Sequence, residues 1–314
     1  MRRAQSLALM GAAAAMPSVA VAADAVKVGV LPISAVAPVY LGIKRGFFAA
    51  ENLDVSTETF QGGAALVPAV MSGDVAFGFS NVVSLLLAGS RGLPLQIIAN
   101  GAMTSRTPNV DATAVIVKGD GPVKAPKDLE GRVIGLDTLG SVGDLTVRNT
   151  LEKHGVDLGK VRFIELPFPQ MLAALADGRI DAAYESEPFL TMARDQKMRV
   201  LFYPYYETVP GGFNVTFYFT SKTFAAANAR LVARFQRALN RSLDFAQKNP
   251  AEARATILEF TKISPDVANR MVLPDWTPRV NAASVSAIAD LMVKYAFLKT
   301  PADVVPLGFG TTSQ

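Results

Sequence analysis

No cysteine occurs in this chain, which removes disulfides, thiolate nucleophiles and cysteine-ligated metal sites together. A small secreted scaffold is normally stapled by disulfides, so stability here must come from a large apolar core. The 50% hydrophobic content can supply one. Histidine occurs once, at His154, which argues against a zinc enzyme or a histidine-dependent hydrolase. Basic runs are missing as well. Removing residues 1–22, which carry Arg2 and Arg3 and no acid, leaves 29 basic against 27 acidic residues and a net charge of about +2. Nucleic-acid binding therefore has no electrostatic footprint. No internal repeat is visible, and the alanines near the N-terminus are the one low-complexity stretch.

What is present begins with Arg2-Arg3, an apolar run from Ser6 to Met16, Pro17, and the small-residue sequence Ala20-Val21-Ala22. This is the three-part layout of a secretory signal peptide, with cleavage expected after Ala22. The run is too short to cross a hydrocarbon core of ~30 Å, so a membrane-spanning chain is not expected. The paired arginines are compatible with twin-arginine export, but Ala4, Gln5 and Ser6 follow where a bulky apolar residue is usual.

Beyond Ala22 the pattern alternates. Val26–Leu31 is a β-branched run, Ala37–Asn52 carries apolar residues at helical spacing, and strand and helix patterns then exchange through Leu53–Phe60, Ala64–Met71, Asp74–Phe79, Val82–Ala88 and Leu95–Ala99. Alternation of this kind predicts parallel pairing with helical crossovers. Thr113–Val117 is a further strand, and the Gly-, Pro- and Lys-rich stretch 119–127 reads as a boundary loop. A second α/β unit follows, with strands at Arg132–Leu136, Val161–Leu166, Ile180–Tyr184 and Val200–Tyr203. After Val209-Pro210-Gly211-Gly212 comes a strand at Val215–Phe219, and the remainder is helical. The expected architecture is α/β and two-lobed: residues 23–115 begin lobe one, 116–213 form lobe two, and 214–314 return to complete lobe one. The strands near Ala114–Val117 and Val215–Phe219 are the expected hinge.

Several segments now resemble a known family, the substrate-binding proteins of ABC importers for nitrate, sulfonates, taurine and thiamine-pyrimidine precursors. The similar segments are Tyr40–Phe48 with Glu51–Val55, Met71–Ser80, Arg91–Leu95, Pro126–Gly135, and Ala174–Ala183 with Glu187-Pro188. Each is weak alone, and their order and spacing carry the resemblance. It implies a type II periplasmic-binding-protein (Venus flytrap) clamp with no catalysis and no cofactor. The implied ligand is a small organic or oxyanionic solute such as a sulfonate, nitrate, an aromatic acid or a pyrimidine. The implied partners are an ABC permease and its ATPase, and the implied state is a periplasmic monomer.

In open parallel sheets the ligand crevice lies beyond the C-terminal strand ends, where helix N-termini present free N–H groups. That places candidates at the strand-to-helix junctions. The first junction offers Ser34 and Tyr40, the latter equally at home in the core. The second offers Gln61, Gly62 and Gly63, whose glycines permit close backbone approach. Ser80 and Asn81, like Thr138 and Ser141 in lobe two, are candidates that helix capping also explains. Glu185 and Glu187 could pair with a cationic or hydroxylated ligand, although Glu187 also suits its own helix N-terminus. Phe213 and Asn214 precede the return strand and could reach the cleft from the hinge. Trp276 reads as a packing anchor, His154 as a helix-end residue, and Lys44 and Arg45 as a solvated face. Two rival functions remain open: a pyrimidine-precursor synthase on the same fold, whose cysteine-rich motif this chain lacks, and a ligand sensor that does not transport.

Overall fold

The computed structural model describes residues 22–300 and Leu307; the expected signal peptide lies almost wholly outside them. The chain first forms β1 (Asp24–Val30), β2 (Leu53–Thr59), β3 (Phe77–Asn81) and β4 (Leu95–Met103), joined by helices α1 (Ala37–Lys44), α2 (Leu66–Ser72) and α3 (Val82–Ser90). It then crosses to β5 (Thr113–Lys118), β6 (Val133–Leu136), β7 (Arg162–Glu165), β8 (Ala182–Ser186) and β9 (Met198–Phe202), interleaved with α4 (Val142–Lys153), α5 (Phe168–Ala176) and α6 (Phe189–Asp195). A short α7 (Pro204–Thr208) leads to β10 (Asn214–Ser221). Five helices follow: α8 (Lys222–Ala227), α9 (Ala229–Lys248), α10 (Pro250–Phe260), α11 (Pro265–Arg270) and α12 (Ala282–Lys294).

Two five-stranded sheets result, ordered β2-β1-β3-β10-β4 and β7-β6-β8-β5-β9. The all-parallel expectation needs correction, because β10 runs antiparallel to both β3 and β4 and β5 runs antiparallel to both β8 and β9. In each sheet the antiparallel strand is the one that arrives from the other lobe. The strands expected to form the hinge therefore each lie wholly within one sheet. The crossings are the segments ahead of them, 104–112 and 209–213. These two segments bond to each other: the Thr104 N–H donates to the Phe213 carbonyl at 3.0 Å and the Phe213 N–H to Thr104 Oγ1 at 2.9 Å.

The central strands β3, β8 and β10 are buried along their whole length, as their apolar content requires, while the edge strands β2 and β7 keep exposed residues. The helix expected over residues 37–52 stops at Lys44, where Gly46 takes φ +69 and turns the chain back. α9 braces the first sheet. Its Val232, Phe235, Leu239, Leu243 and Ala246 recur at three- and four-residue spacing and are buried, and Phe235 stacks on Phe77 with ring centroids 4.0 Å apart. α1 lies against α9 at Gly42, where a β-carbon would fall 2.1 Å from Ser242 Oγ. Any side chain there would force the two helices apart.

Candidate functional site

A small cavity, about 50 Å³, lies between the two lobes. From the first lobe it takes Leu31, Ile33 and Ser34 after β1, Asn81 at the end of β3, and Val215 and Thr216 on β10. From the second it takes Thr113 on β5, Asp137 after β6, Tyr184 and Ser186 on β8, Phe168 at the start of α5, and Tyr205 on α7. Thr104 and Asp111 stand on the crossing between them. Most of these positions are strand ends and helix starts; Tyr184, in the middle of β8, is an exception.

The lobes meet directly around this space. The Ser34 N–H donates to the Glu187 carbonyl at 2.9 Å. Asn81 caps α3 by accepting from the Ser84 N–H at 3.0 Å, and the same Oδ1 accepts from the Val142 N–H of α4 at 3.2 Å. On the outer side the Val272 N–H donates to Glu187 Oε1 at 3.2 Å. Tyr295 adds a hydroxyl bond to Glu152 at 2.6 Å. The clamp is closed in this structure.

Of the sequence-derived candidates, Ser34 and Asn81 line the cavity. Ser34 Oγ is buried without a partner, as is Thr216 Oγ1. Gly62 faces lobe two, where a β-carbon would stand 2.8 Å from Thr138 Oγ1, so Gly62 and Thr138 form a closing contact at the rim. Gly63 accepts at its carbonyl from Ser80 Oγ at 2.9 Å, which commits Ser80 to holding that turn. Gln61 is exposed. Ser141 caps α4 and donates to Asp137 Oδ1 at 3.4 Å.

Four candidates lie elsewhere. Tyr40 stacks on Phe260 of α10, with centroids 4.1 Å apart, because α1 presents that face to the C-terminal helices. Glu185 falls between two cavity-lining residues of β8, and strand alternation turns it to the other face; its carboxyl is buried with no hydrogen-bond partner. Phe213 is buried behind the cavity with its ring edge-on to Tyr205 at 5.4 Å. Asn214 is consumed by structure: Nδ2 donates to Asn100 Oδ1 at 2.9 Å and the Arg279 carbonyl at 3.0 Å, while Oδ1 accepts from the Asn281 N–H at 2.7 Å.

The electrostatics come chiefly from residues that the junction rule passed over. Burial pushes the carboxyl groups of Asp111 and Asp137 up to about 7. Glu185 is raised well above the usual range by the same desolvation, which outweighs the nearby Ser186 N–H. Tyr184 and Tyr205, whose hydroxyls bond to each other, resist ionisation for the same reason. Among the described residues no lysine, arginine or histidine lines the cavity. His154 pairs with Glu207 at 2.7 Å beside α7, and Trp276 anchors the first loop through a 3.1 Å bond from its indole N–H to the Ala35 carbonyl.

Two α/β lobes joined by two crossings and closed on a cavity define the two-domain clamp of periplasmic binding proteins. The chain belongs to the NMT1/THI5-like family, whose model matches residues 33–253. It is 26% identical over 336 aligned positions to a Brucella abortus protein that carries the name of a binding protein, with 96% of each chain covered. It is 30% identical over 176 positions to the taurine-binding periplasmic protein of Escherichia coli, covering 56% of this chain and 52% of that one. An enzyme is also among the relatives: the 4-amino-5-hydroxymethyl-2-methylpyrimidine phosphate synthase of Aspergillus parasiticus is 24% identical, over 75% of this chain and 70% of that one. Among solved structures, the alkanesulfonate-binding protein SsuA of Xanthomonas axonopodis bound to MOPS superposes with a TM-score of 0.76 at 20% identity. That match covers 92% of this chain and 99% of that one.

Proposed function

We propose that the protein is exported to the periplasm, captures one small solute between its lobes as a monomer, and delivers it to an ABC permease and its ATPase. One observation carries this reading: the cavity is lined from both lobes and is sealed by hydrogen bonds that run directly from one lobe to the other. A solute that touches Ser34 or Asn81 on one side and Asp137 or Tyr184 on the other makes both sets of contacts only when the clamp is shut. It therefore shifts the population towards the closed form, and it takes about 5.5 kcal/mol of differential affinity to move that balance from 1:99 to 99:1.

A reaction on the solute is not part of this reading. The single histidine lies outside the cavity, and the groups that line it are carboxyls, hydroxyls and aromatic rings suited to holding a molecule. Export also fits a carrier, since the layout of residues 1–22 and a family relative named as periplasmic point the same way.

Thermal shift across amines, sulfonates, nitrate, aromatic acids, pyrimidines and flavins tests the proposal. A ligand at a hundredfold excess over its Kd stabilises the folded state by about 2.7 kcal/mol, a rise of roughly 5 °C or more in Tm for a chain of this size. Solution scattering of the hit should show a smaller radius of gyration than the free protein. A panel in which no small molecule raises Tm removes the solute-binding reading.

A further inference from the structure

We propose that this cavity selects a solute carrying a protonated basic nitrogen, and that it rejects sulfonates, carboxylates and nitrate. The inference deepens the solute-binding reading and rests on it. Three independent features of the cavity lead to it.

The first is its charge. Asp111 is 3% exposed and Asp137 is 9% exposed, both line the space, and among the described residues no cationic side chain does. An anion would enter a poorly solvated site beside carboxyl groups with nothing to offset its charge, whereas an ammonium or amidinium supplies the missing countercharge.

The second is the state of the helix starts, the feature that ordinarily holds anions in this kind of fold. The Ser84 and Val142 N–H groups both donate to Asn81 Oδ1. In the turn before α4, the Gly140 N–H donates to Asp144 Oδ2 at 2.9 Å and the Leu139 N–H to Glu165 Oε2 at 3.0 Å. Of these groups Val142 and Asn81 line the cavity, and an oxyanion there would have to displace Asn81 Oδ1 from the Val142 N–H.

The third is what remains unused. Ser34 Oγ and Thr216 Oγ1 line the cavity, are more than nine-tenths buried and have no partner, so both hydroxyls are free to bond to a solute, and their lone pairs can accept from its N–H donors. The rings of Tyr184 and Phe168 stand 6.1 Å apart along one wall, and aromatic faces attract cations and flat molecules.

Proton linkage follows from the same arrangement. Asp275 stands near Asp111, Glu165 and Glu185 stand near Asp137, and Asp111 and Asp137 both act on Tyr184 and Tyr205. Burial is the larger cause: it outweighs the N–H groups of Ser105, Ala112 and Thr113 at Asp111 and the Thr138 N–H and Ser141 hydroxyl at Asp137, and with these acidic neighbours it holds the protons on the carboxyls to about pH 7. A cation binds best when they are ionised, and its arrival expels protons. Its affinity should rise between pH 6 and pH 8, while an anion's should fall.

The test titrates the full exported protein with pairs of compounds sharing a skeleton: alkyl, benzyl and heteroaryl ammonium salts against the corresponding sulfonates and carboxylates, with taurine and nitrate alongside. The expected result is binding confined to ammonium-bearing members, at least tenfold tighter at pH 8 than at pH 6. Asp111→Asn and Asp137→Asn should each weaken it at least tenfold. The same variants should melt higher than wild type at pH 8, because each removes a buried charge; a purely structural aspartate would lower Tm and leave affinity unchanged. If a sulfonate, a carboxylate or nitrate binds more tightly than its ammonium partner, the inference falls and the solute-binding reading stands. If no member of either charge binds, both fall.

Discussion

The two lobes share one topology and divide the chemistry unequally. Position for position, β2-β1-β3-β10-β4 corresponds to β7-β6-β8-β5-β9, each with its antiparallel strand fourth in line and delivered from the other half. Yet among the described residues the carboxylates counted as buried, Asp111, Asp137, Asp144, Glu185 and Glu187, all lie in lobe two or on the crossing that enters it. Lobe one offers the cavity the hydroxyls of Ser34 and Thr216 and the Asn81 amide, with no carboxylate, and it is the lobe thickened by the C-terminal helices. The same fold therefore serves as a rigid, uncharged wall on one side and as a charged, aromatic receptor on the other. A solute held first by lobe two and then covered by lobe one is the order of events this difference favours.

The largest expected effect comes from titrating the charged side. For Asp111 and Asp137 the folded-state value of about 7 exceeds the unfolded value near 4, so between those limits the folded chain binds more protons than the unfolded one. Stability is then greatest at low pH and is lost as pH rises from about 4 to about 7, by on the order of 4 kcal/mol for each carboxyl as an upper bound. Urea unfolding at pH 5 and pH 8 should show this loss in wild type. Asp137→Asn should flatten it, standing above wild type at pH 8 and losing that advantage at pH 5. A wild-type profile with no fall above pH 5 would show that the carboxyls of lobe two are less desolvated than their burial implies.

A smaller effect belongs to the rim where the lobes touch. Gly62→Val places a branched side chain where even a β-carbon comes within 2.8 Å of Thr138 Oγ1, while the lobe-one fold around it is spared. Full closure is blocked, and affinity for any solute found should fall about tenfold to a hundredfold, equivalent to roughly 1.4–2.7 kcal/mol. Thr138→Ala in the same chain should restore part of the loss, since it removes the atom that is struck. Unchanged affinity in the folded single variant would show that the rim opens without cost to binding.

Much of the fold was legible because apolar periodicity reports burial directly: the strand and helix alternation, and the helical C-terminal third, follow from spacing alone. Strand direction was not legible, since β5 and β10 read like their parallel neighbours and only long-range pairing sets their sense. The site was harder. Ser80, Asn81 and Ser141 stand at the expected junctions, but all three are occupied as caps or turn supports, and Asn81 reaches the cavity while serving as a cap. Choosing Glu185 was an error of one residue in register, because a strand sends Tyr184 and Ser186 to the cavity and the residue between them away from it. Asp137 was visible as the first residue after β6, in a loop already under scrutiny. Asp111 carried no local signal, because its place depends on where the chain crosses between lobes.

The smallest expected effect separates lobe one's bracing from its share of the cavity. Tyr40 sits on α1, half-buried, its ring parallel to that of Phe260 within 10°, so it joins α1 to α10. Tyr40→Leu keeps much of the buried apolar volume and loses the ring pair, which is worth about 0.5–1.5 kcal/mol. Tm should drop by a few degrees, and solute affinity should stay within twofold of wild type, because the ring contributes nothing to the cavity wall. The contrast with Gly62→Val is the informative part: one lobe-one variant should weaken the fold and spare binding, and the other should do the reverse. If Tyr40→Leu instead cuts affinity tenfold at unchanged Tm, the C-terminal helices transmit strain to the cavity, and lobe one is not the passive wall described above.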